Sequence, residues 1–411
     1  MNIMINEDSK ETTKALFGDN VSLLPGVDEV FELELAYLEY KALKEDVLER
    51  SAYIKSIGDQ YSSHYLAYSP THDDNQEELF NDDPSGFATA YATHGLFPYR
   101  GKFHPQMIKA LLNICGVKPG DYVLDPMAGS GTTNIEASLA GINSYAIDVS
   151  PFCQFMIYTK YLALTIEPPF LDLLETKSSE LFHFYHKNNV FERLSEIHDD
   201  EKIKAYYLGF LAYLDALGYS KRVSTSNHEQ LFAKVLSKYL NYVKLFIANR
   251  TYNPQLFGDI TVLKESDATR ILLPDNSIDC VITSPPYSFA IDYAENDRSQ
   301  LELMGIDPNG LKEKLIGLKG KTKQKKLDNY FIDIDRVCNE VSRVLKVDKC
   351  FVVIIGSNTN QTGGIRLERK TIELAEKHGL FIERIIKKPI KGMRNIMKNE
   401  YILIFRKRIT K

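Results

Sequence analysis

A chain of 411 residues exceeds the usual size of one domain, so a core with one or two additions is expected. With 44% hydrophobic and 26% charged residues it has the makeup of a globular protein, and a formal net charge of −5 excludes a surface coated throughout for nucleic acid. That average hides a segregation: residues 70–83 are acidic, residues 312–326 hold seven lysines and one glutamate, and the tail from Lys387 is basic.

No run approaches about 18 uncharged apolar residues, and the first ten residues are polar rather than signal-like, so a cytoplasmic protein with no membrane partner is expected. Cys115, Cys153, Cys280, Cys338 and Cys350 are scattered without a CxxC pair, which argues for reduced core thiols and against a zinc site.

Residues 1–90 read as an N-terminal helical extension. From Val30 to Ile57 apolar positions fall three and four apart, the pattern of one amphipathic helix, and a polar loop follows to about Ser85. Residues 93–106 are aromatic and basic with no clear period, and a helix over 105–115 comes next. His104 has no second His, Cys or carboxylate at ligand spacing, so no metal is expected there.

Residues 121–140 then read strand, glycine turn, helix. Asp125 ends the strand, where it can hold an ammonium group. Gly129 and Gly131 let the backbone approach a ligand, and the helix beginning near Thr132 points its N-terminus at that ligand. The stretch has neither the GxGxxG spacing of a dinucleotide site nor the GK[ST] ending of a phosphate loop. A second strand over 141–148 ends in Asp148, 17 residues after Gly131 (148 − 131), near the distance at which a βαβ unit sets a carboxylate against ribose hydroxyls.

Residues 166–257 form a helical insertion by pattern, with helices expected over 171–186, 203–217 and 228–249. Its aromatics, Phe182, Phe184, Tyr185, Tyr206, Tyr207, Phe210 and Tyr213, recur at helical spacing and read as core rather than base-stacking residues. Its polar break over 221–228, with Lys221 and Arg222, is the better candidate for nucleic-acid contact, and the insertion as a whole is the candidate target-recognition region. Residues 259–267 read as a strand ending in Asp267.

Residues 279–283 are a short buried strand running into Ser284-Pro285-Pro286-Tyr287. The two prolines fix φ and remove two backbone donors, so the corner is stiff. A planar amine could donate to the Ser284 hydroxyl and the Pro285 carbonyl while the Tyr287 ring stacks on its face. An ordinary diproline turn after a core strand is the plainer reading of those four residues alone. Asp292 and Tyr293 downstream either orient a base or cap a helix. The lysines of 312–326, notably Lys319, Lys321, Lys323, Lys325 and Lys326, read as a mobile loop that gains order on phosphate, with a solvated linker as the plainer reading. A helix over 329–345, a fully buried strand over 349–356, a helix over 368–378, a strand over 381–386, a basic loop over 387–394 and a strand over 400–405 finish the chain.

Asp-Pro-Met-Ala-Gly-Ser-Gly-Thr-Thr at 125–133 followed by Thr-Ser-Pro-Pro-Tyr at 283–287 resembles the S-adenosylmethionine-dependent DNA amino-methyltransferases, with the second motif most like the N4-cytosine members. The resemblance covers residues 91–165 and 258–411. It implies an α/β fold, a Rossmann-like class I methyltransferase sheet, mostly parallel with an antiparallel last strand. It implies S-adenosyl-L-methionine as cofactor, held by Asp125, Pro126, Ala128, Gly129, Ser130, Gly131, Thr132, Asp148, Asp267 and His104, with Tyr99, Lys102 and Pro105 helping to close the pocket. Ser284, Pro285, Pro286 and Tyr287 would carry catalysis on a flipped base. Double-stranded DNA is the implied substrate, and a cognate restriction endonuclease the implied partner. No cysteine sits in a Pro-Cys context, which argues against the covalent route of cytosine-C5 enzymes. The cofactor motif precedes the catalytic motif here, whereas many SPPY enzymes have the reverse order. N6-adenine methylation, RNA base methylation and a silent nucleic-acid-binding subunit stand as alternatives.

Overall fold

The computed structural model describes residues 92–102, 104–187, 190–220, 227–249, 257–287, 291–356, 362–389 and 399–409. The N-terminal extension, the polar break with Lys221 and Arg222, and residues 390–394 of the basic loop lie outside the described residues.

Seven strands form one sheet in the order β3-β2-β1-β4-β5-β7-β6. They are β1 (Tyr122–Asp125), β2 (Asn143–Ala146), β3 (Ile260–Val262), β4 (Ile278–Thr283), β5 (Leu345–Gly356), β6 (Leu380–Pro389) and β7 (Asn399–Lys407). Pairing is parallel from β3 through β5, and β7 runs antiparallel to both β5 and β6. This is the mostly parallel sheet with an antiparallel last strand expected above.

Helices cover both faces, so the central strands are apolar on both sides, and all six residues of β4 are buried. Alternation assigns the faces. Val123, Cys280, Ile282, Val352 and Ile354 pack under α1 (Pro105–Ile114) through Met107, Ile108 and Leu111. Their neighbours Leu124, Val281, Phe351 and Val353 pack on the opposite face. There they meet Ile334, Val337 and Val341 of α12 (Lys323–Val344) and Leu374 of α13 (Leu367–Lys377).

Between β1 and β2 runs α2 (Thr132–Leu139), and α3 (Pro151–Ala163) follows β2. The insertion supplies α4 (Pro168–Thr176), α5 (Ser178–His186), α6 (Val190–Ser195), α7 (Asp200–Ser220) and α8 (His228–Asn249). The helix expected over 171–186 is two helices, because Lys177 departs from helical geometry at φ −108°, ψ 24° and serves as cap to both. Phe182, Tyr185, Phe210, Tyr213, Phe232 and Tyr239 are buried together, and the Tyr185 hydroxyl donates to the Tyr206 carbonyl at 2.8 Å. These aromatics therefore make a core.

Three further boundaries differ from expectation. β3 stops at Val262, opposite Ala146, because β2 ends there and offers no further ladder; Asp267 lies in the turn beyond, in a bridge with Arg270. The lysine-rich stretch is not a loop throughout. Thr322 caps α12 by accepting from Lys325 N at 3.2 Å, so Lys323, Lys325 and Lys326 stand on its first turn. Lys387 and Lys388 belong to β6, paired with Tyr401 and Glu400. No helix among the described residues is long and apolar enough to cross a membrane.

Candidate active site

The strand order changes direction between β1 and β4: from β1 the chain proceeds to β2 and β3 on one side, then returns to β4 on the other. In an open parallel sheet, the crevice beyond the carboxyl ends at such a point is where ligands bind. Here Asp125 ends β1 and Thr283 ends β4. Thr283 Oγ1 donates to Asp125 Oδ1 at 2.7 Å, and Met127 N donates to the same oxygen at 3.1 Å. Burial raises the Asp125 carboxyl to about 6 against the pull of the donors around it, Thr283 first, then Thr133 and Met127. Its other oxygen, Oδ2, is buried without a hydrogen-bond partner.

The glycine turn is held from both sides. Ala128 N donates to the Ile147 carbonyl at 2.9 Å, and Gly129 N donates to Asp148 Oδ2 at 2.9 Å. Ser150 N donates to Asp148 Oδ1 at 2.8 Å, so one half-buried carboxylate joins the turn to the end of β2. Burial raises that carboxyl to about 6 as well. Gly129 and Gly131 have φ of +51° and +77°, a region that side chains disfavour. A Cβ at Gly129 would lie 3.0 Å from Tyr99 Cε1, and one at Gly131 would lie 2.9 Å from Ile157 Cγ1. Lys160, buried in α3, donates to the Ser130 carbonyl at 3.1 Å from behind.

A cavity of about 530 Å³ opens above these strand ends. Pro126, Ala128, Gly129, Ser130 and Thr132 line it from the turn, Asp148 from just beyond β2, and Asp267 from the segment after β3. Ser284 and Pro286 line it from the diproline corner, with Tyr99, Lys102 and Tyr293 on further walls. The glycine turn and the diproline corner therefore share one space. Asp125 and Gly131 lie behind that lining, and His104 stands at the N-cap position of α1 outside it.

Tyr287 and Lys319 sit otherwise than expected, and Asp267 lines the cavity as expected while also bonding within its own turn. Tyr287 does not line the cavity: its ring packs against the buried face containing Leu124 and Val281, and its phenol donates to Glu400 Oε1 of β7 at 2.7 Å. Asp267 Oδ1 accepts from Thr269 N at 2.7 Å and from the Thr269 hydroxyl at 2.5 Å. Lys319 faces the cavity and pairs with the buried Asp333 at 2.8 Å, while Lys321, Lys323 and Lys325 stand exposed.

Two short helices after the corner, α9 (Tyr293–Asn296) and α10 (Arg298–Leu303), settle Asp292 as a helix cap. It accepts from Glu295 N at 3.0 Å and pairs with Lys312 at 2.8 Å. Lys312 ends α11 (Pro308–Lys312), so this pair draws Leu311 and residues 313–316 over the cavity. These residues, with Asp297 and Lys160, escaped the sequence reading, because no local motif marks a position created by tertiary packing.

S-adenosylmethionine fits this site on three counts: a cavity of ligand size, a cradle that side chains at the two glycines would fill, and an orphaned buried carboxylate oxygen behind it. The oxygen suits the donor's ammonium, and Asp148 suits ribose hydroxyls through lone pairs left by its two N–H bonds.

A DNA methylase family pattern matches residues 8–157 and 278–411, and an RMKL-like methyltransferase domain pattern matches residues 96–301. The chain is 24% identical over 298 residues to the type II methyltransferase M.BsoBI of Geobacillus stearothermophilus, covering 58% of this chain and 58% of that protein. It is 40% identical over 53 residues to the tRNA (guanine(10)-N2)-dimethyltransferase of Methanothermobacter thermautotrophicus, or 13% of this chain and 16% of that one. Among solved structures, a SAM-dependent methyltransferase of Methanosarcina mazei aligns with a TM-score of 0.33 at 10% identity, covering 72% of this chain and 95% of that one. The chain thus spans 58% of M.BsoBI's length.

Proposed function

The chain belongs to the DNA methylase family, and on that premise we propose that it transfers a methyl group from S-adenosylmethionine to an exocyclic amine of a flipped DNA base, most favourably N4 of cytosine. The observation that carries this reading is the Thr283–Asp125 hydrogen bond, which fixes the cofactor-type turn and the amine-type corner at adjoining strand ends.

S-adenosylmethionine supplies a methyl group already activated on a sulfonium. The protein's task is alignment, since an exocyclic amine is a weak nucleophile whose lone pair is delocalised into its ring. Ser284 Oγ accepts one amine hydrogen and the Pro285 carbonyl the other, which favours a pyramidal nitrogen with its lone pair free. Those two acceptors also stabilise the positive charge that develops on nitrogen. Tyr287, braced by Glu400, fixes the corner's direction. Asp148 orients the donor's ribose. Lys321, Lys323 and Lys325, exposed on the first turn of α12 and just before it, contact DNA phosphates. Serine before the diproline supports cytosine, and a cognate restriction endonuclease belongs to the same proposal.

A second reading, methylation of an RNA base amine, draws on the RMKL-like domain match and the short similarity to a tRNA guanine methyltransferase. Incubation with labelled S-adenosylmethionine and either duplex DNA or total RNA separates the two. Label in DNA is expected; label in RNA alone would replace the first reading with the second.

A further inference from the structure

Asp297 stands at the N-cap of α10, where an aspartate ordinarily accepts from the backbone of the first turn. Its side chain makes no such bond. It is instead 8% exposed and lines the cavity together with Tyr99, Tyr293 and Cys153. Asp292, five residues earlier (297 − 292), does cap its helix. Two acids of one short segment thus have different occupations, and only Asp297 is turned to the cavity.

The wall that it joins is aromatic. The rings of Tyr99 and Tyr293 lie nearly parallel, 13° apart with centroids at 6.0 Å. Tyr99 closes on Gly129, and a Cβ at Gly101 would come within 3.2 Å of the Tyr293 hydroxyl, so the backbone leaves room for both rings. The surroundings are electronegative. Burial first, then Asp148, Cys153 and Asp297 push the Tyr293 phenol up to about 12, and burial with the same three neighbours raises Tyr99 well above its ordinary range.

We propose that Asp297, with the parallel rings of Tyr99 and Tyr293, recognises the positive charge on the sulfur of the methyl donor and so distinguishes donor from spent product. This rests on the methyl-transfer reading of the cavity. A sulfonium has no N–H to donate and cannot be held as an ammonium is; carboxylate fields and electron-rich rings are the groups that attract it. When the N–CH₃ bond forms and the C–S bond breaks, the C–S electron pair stays on sulfur and the amine proton leaves to solvent. Asp297 then faces a neutral thioether, and the wall loses its hold.

Calorimetric titration of the full chain with S-adenosylmethionine and with S-adenosylhomocysteine tests this. Asp297→Asn keeps the size of the side chain and removes its charge, and Tyr293→Leu removes the ring. Each should weaken the sulfonium ligand about tenfold and the thioether less than about threefold, while Tyr293→Phe keeps the preference. Equal weakening of both ligands, or no weakening of the sulfonium, would overturn the inference; the Tyr293 variants carry the test if Asp297→Asn fails to fold. Binding of neither compound by the unsubstituted protein would remove the methyl-transfer reading itself, and this inference with it.

Discussion

Thr283 Oγ1 lies 2.7 Å from Asp125 Oδ1, a hydrogen bond between two fully buried residues at the ends of β4 and β1. The sheet already pairs these strands through Val123 with Cys280 and Leu124 with Val281; the side-chain bond extends that tie to the point where the two motifs diverge. Thr283→Val keeps the shape and deletes the donor, so it should lower stability by about 1–2 kcal/mol in urea unfolding and weaken donor binding. Thr283→Ser should preserve both. A valine variant as stable as the parent contradicts this role.

Asp125 and Asp148 are each raised to about 6, in both cases first by burial. A carboxyl so raised takes up its proton as pH falls through about 6, and only the anion serves an ammonium or two ribose hydroxyls well. Donor affinity should therefore fall below about pH 6, and binding near that pH should release protons. Calorimetry in buffers of different ionisation heat measures the release, which should vanish near pH 8. Stability runs the other way: between about pH 4 and 6 the folded chain holds protons that the unfolded chain has lost, so stability from these groups declines as pH rises through that window. Asp148→Asn should weaken donor binding and reduce the proton release; unchanged affinity removes Asp148 from the site.

Ser284 and Tyr287 should behave in the opposite sense. Ser284→Ala and Tyr287→Ala are expected to abolish transfer while leaving donor affinity nearly unchanged. Glu400→Ala frees the Tyr287 phenol from its 2.7 Å partner, so turnover should drop with little change in donor binding. An equal loss of donor affinity in any of the three argues for a structural role.

The lysines divide by partner. Lys319→Ala removes the 2.8 Å partner of the buried Asp333 and leaves Arg336 at 3.9 Å, which should cost about 1–3 kcal/mol of stability. Lys321→Ala and Lys325→Ala, at exposed positions, should leave stability unchanged, weaken DNA binding and lower its salt dependence by about one unit of slope per phosphate contact. DNA affinity indifferent to both would place the nucleic acid on another face.

What was legible in the chain was what is carried by contiguous residues at a strand end. Asp125 through Thr132 and Ser284 with Pro286 announce a turn and a corner because glycine and proline impose backbone geometry locally. Asp148 was legible from spacing, since a βαβ unit has a nearly fixed length. Asp297 and residues 313–316 were not, since their position depends on Lys312 reaching Asp292 and Glu295 across three short helices. The end of β3 was misplaced because a strand's length is set by its partner, and β2 stops at Ala146. Tyr287 was read as facing the amine because its acceptor, Glu400, lies 113 residues further along the chain.

Mass spectrometry of nucleosides from duplex DNA treated with this chain and S-adenosylmethionine tests the shared site most directly. The account predicts N4-methylcytosine with the parent protein and none with Ser284→Ala or Tyr287→Ala. Methyl groups on a ring carbon, or a yield undiminished by both substitutions, would contradict it.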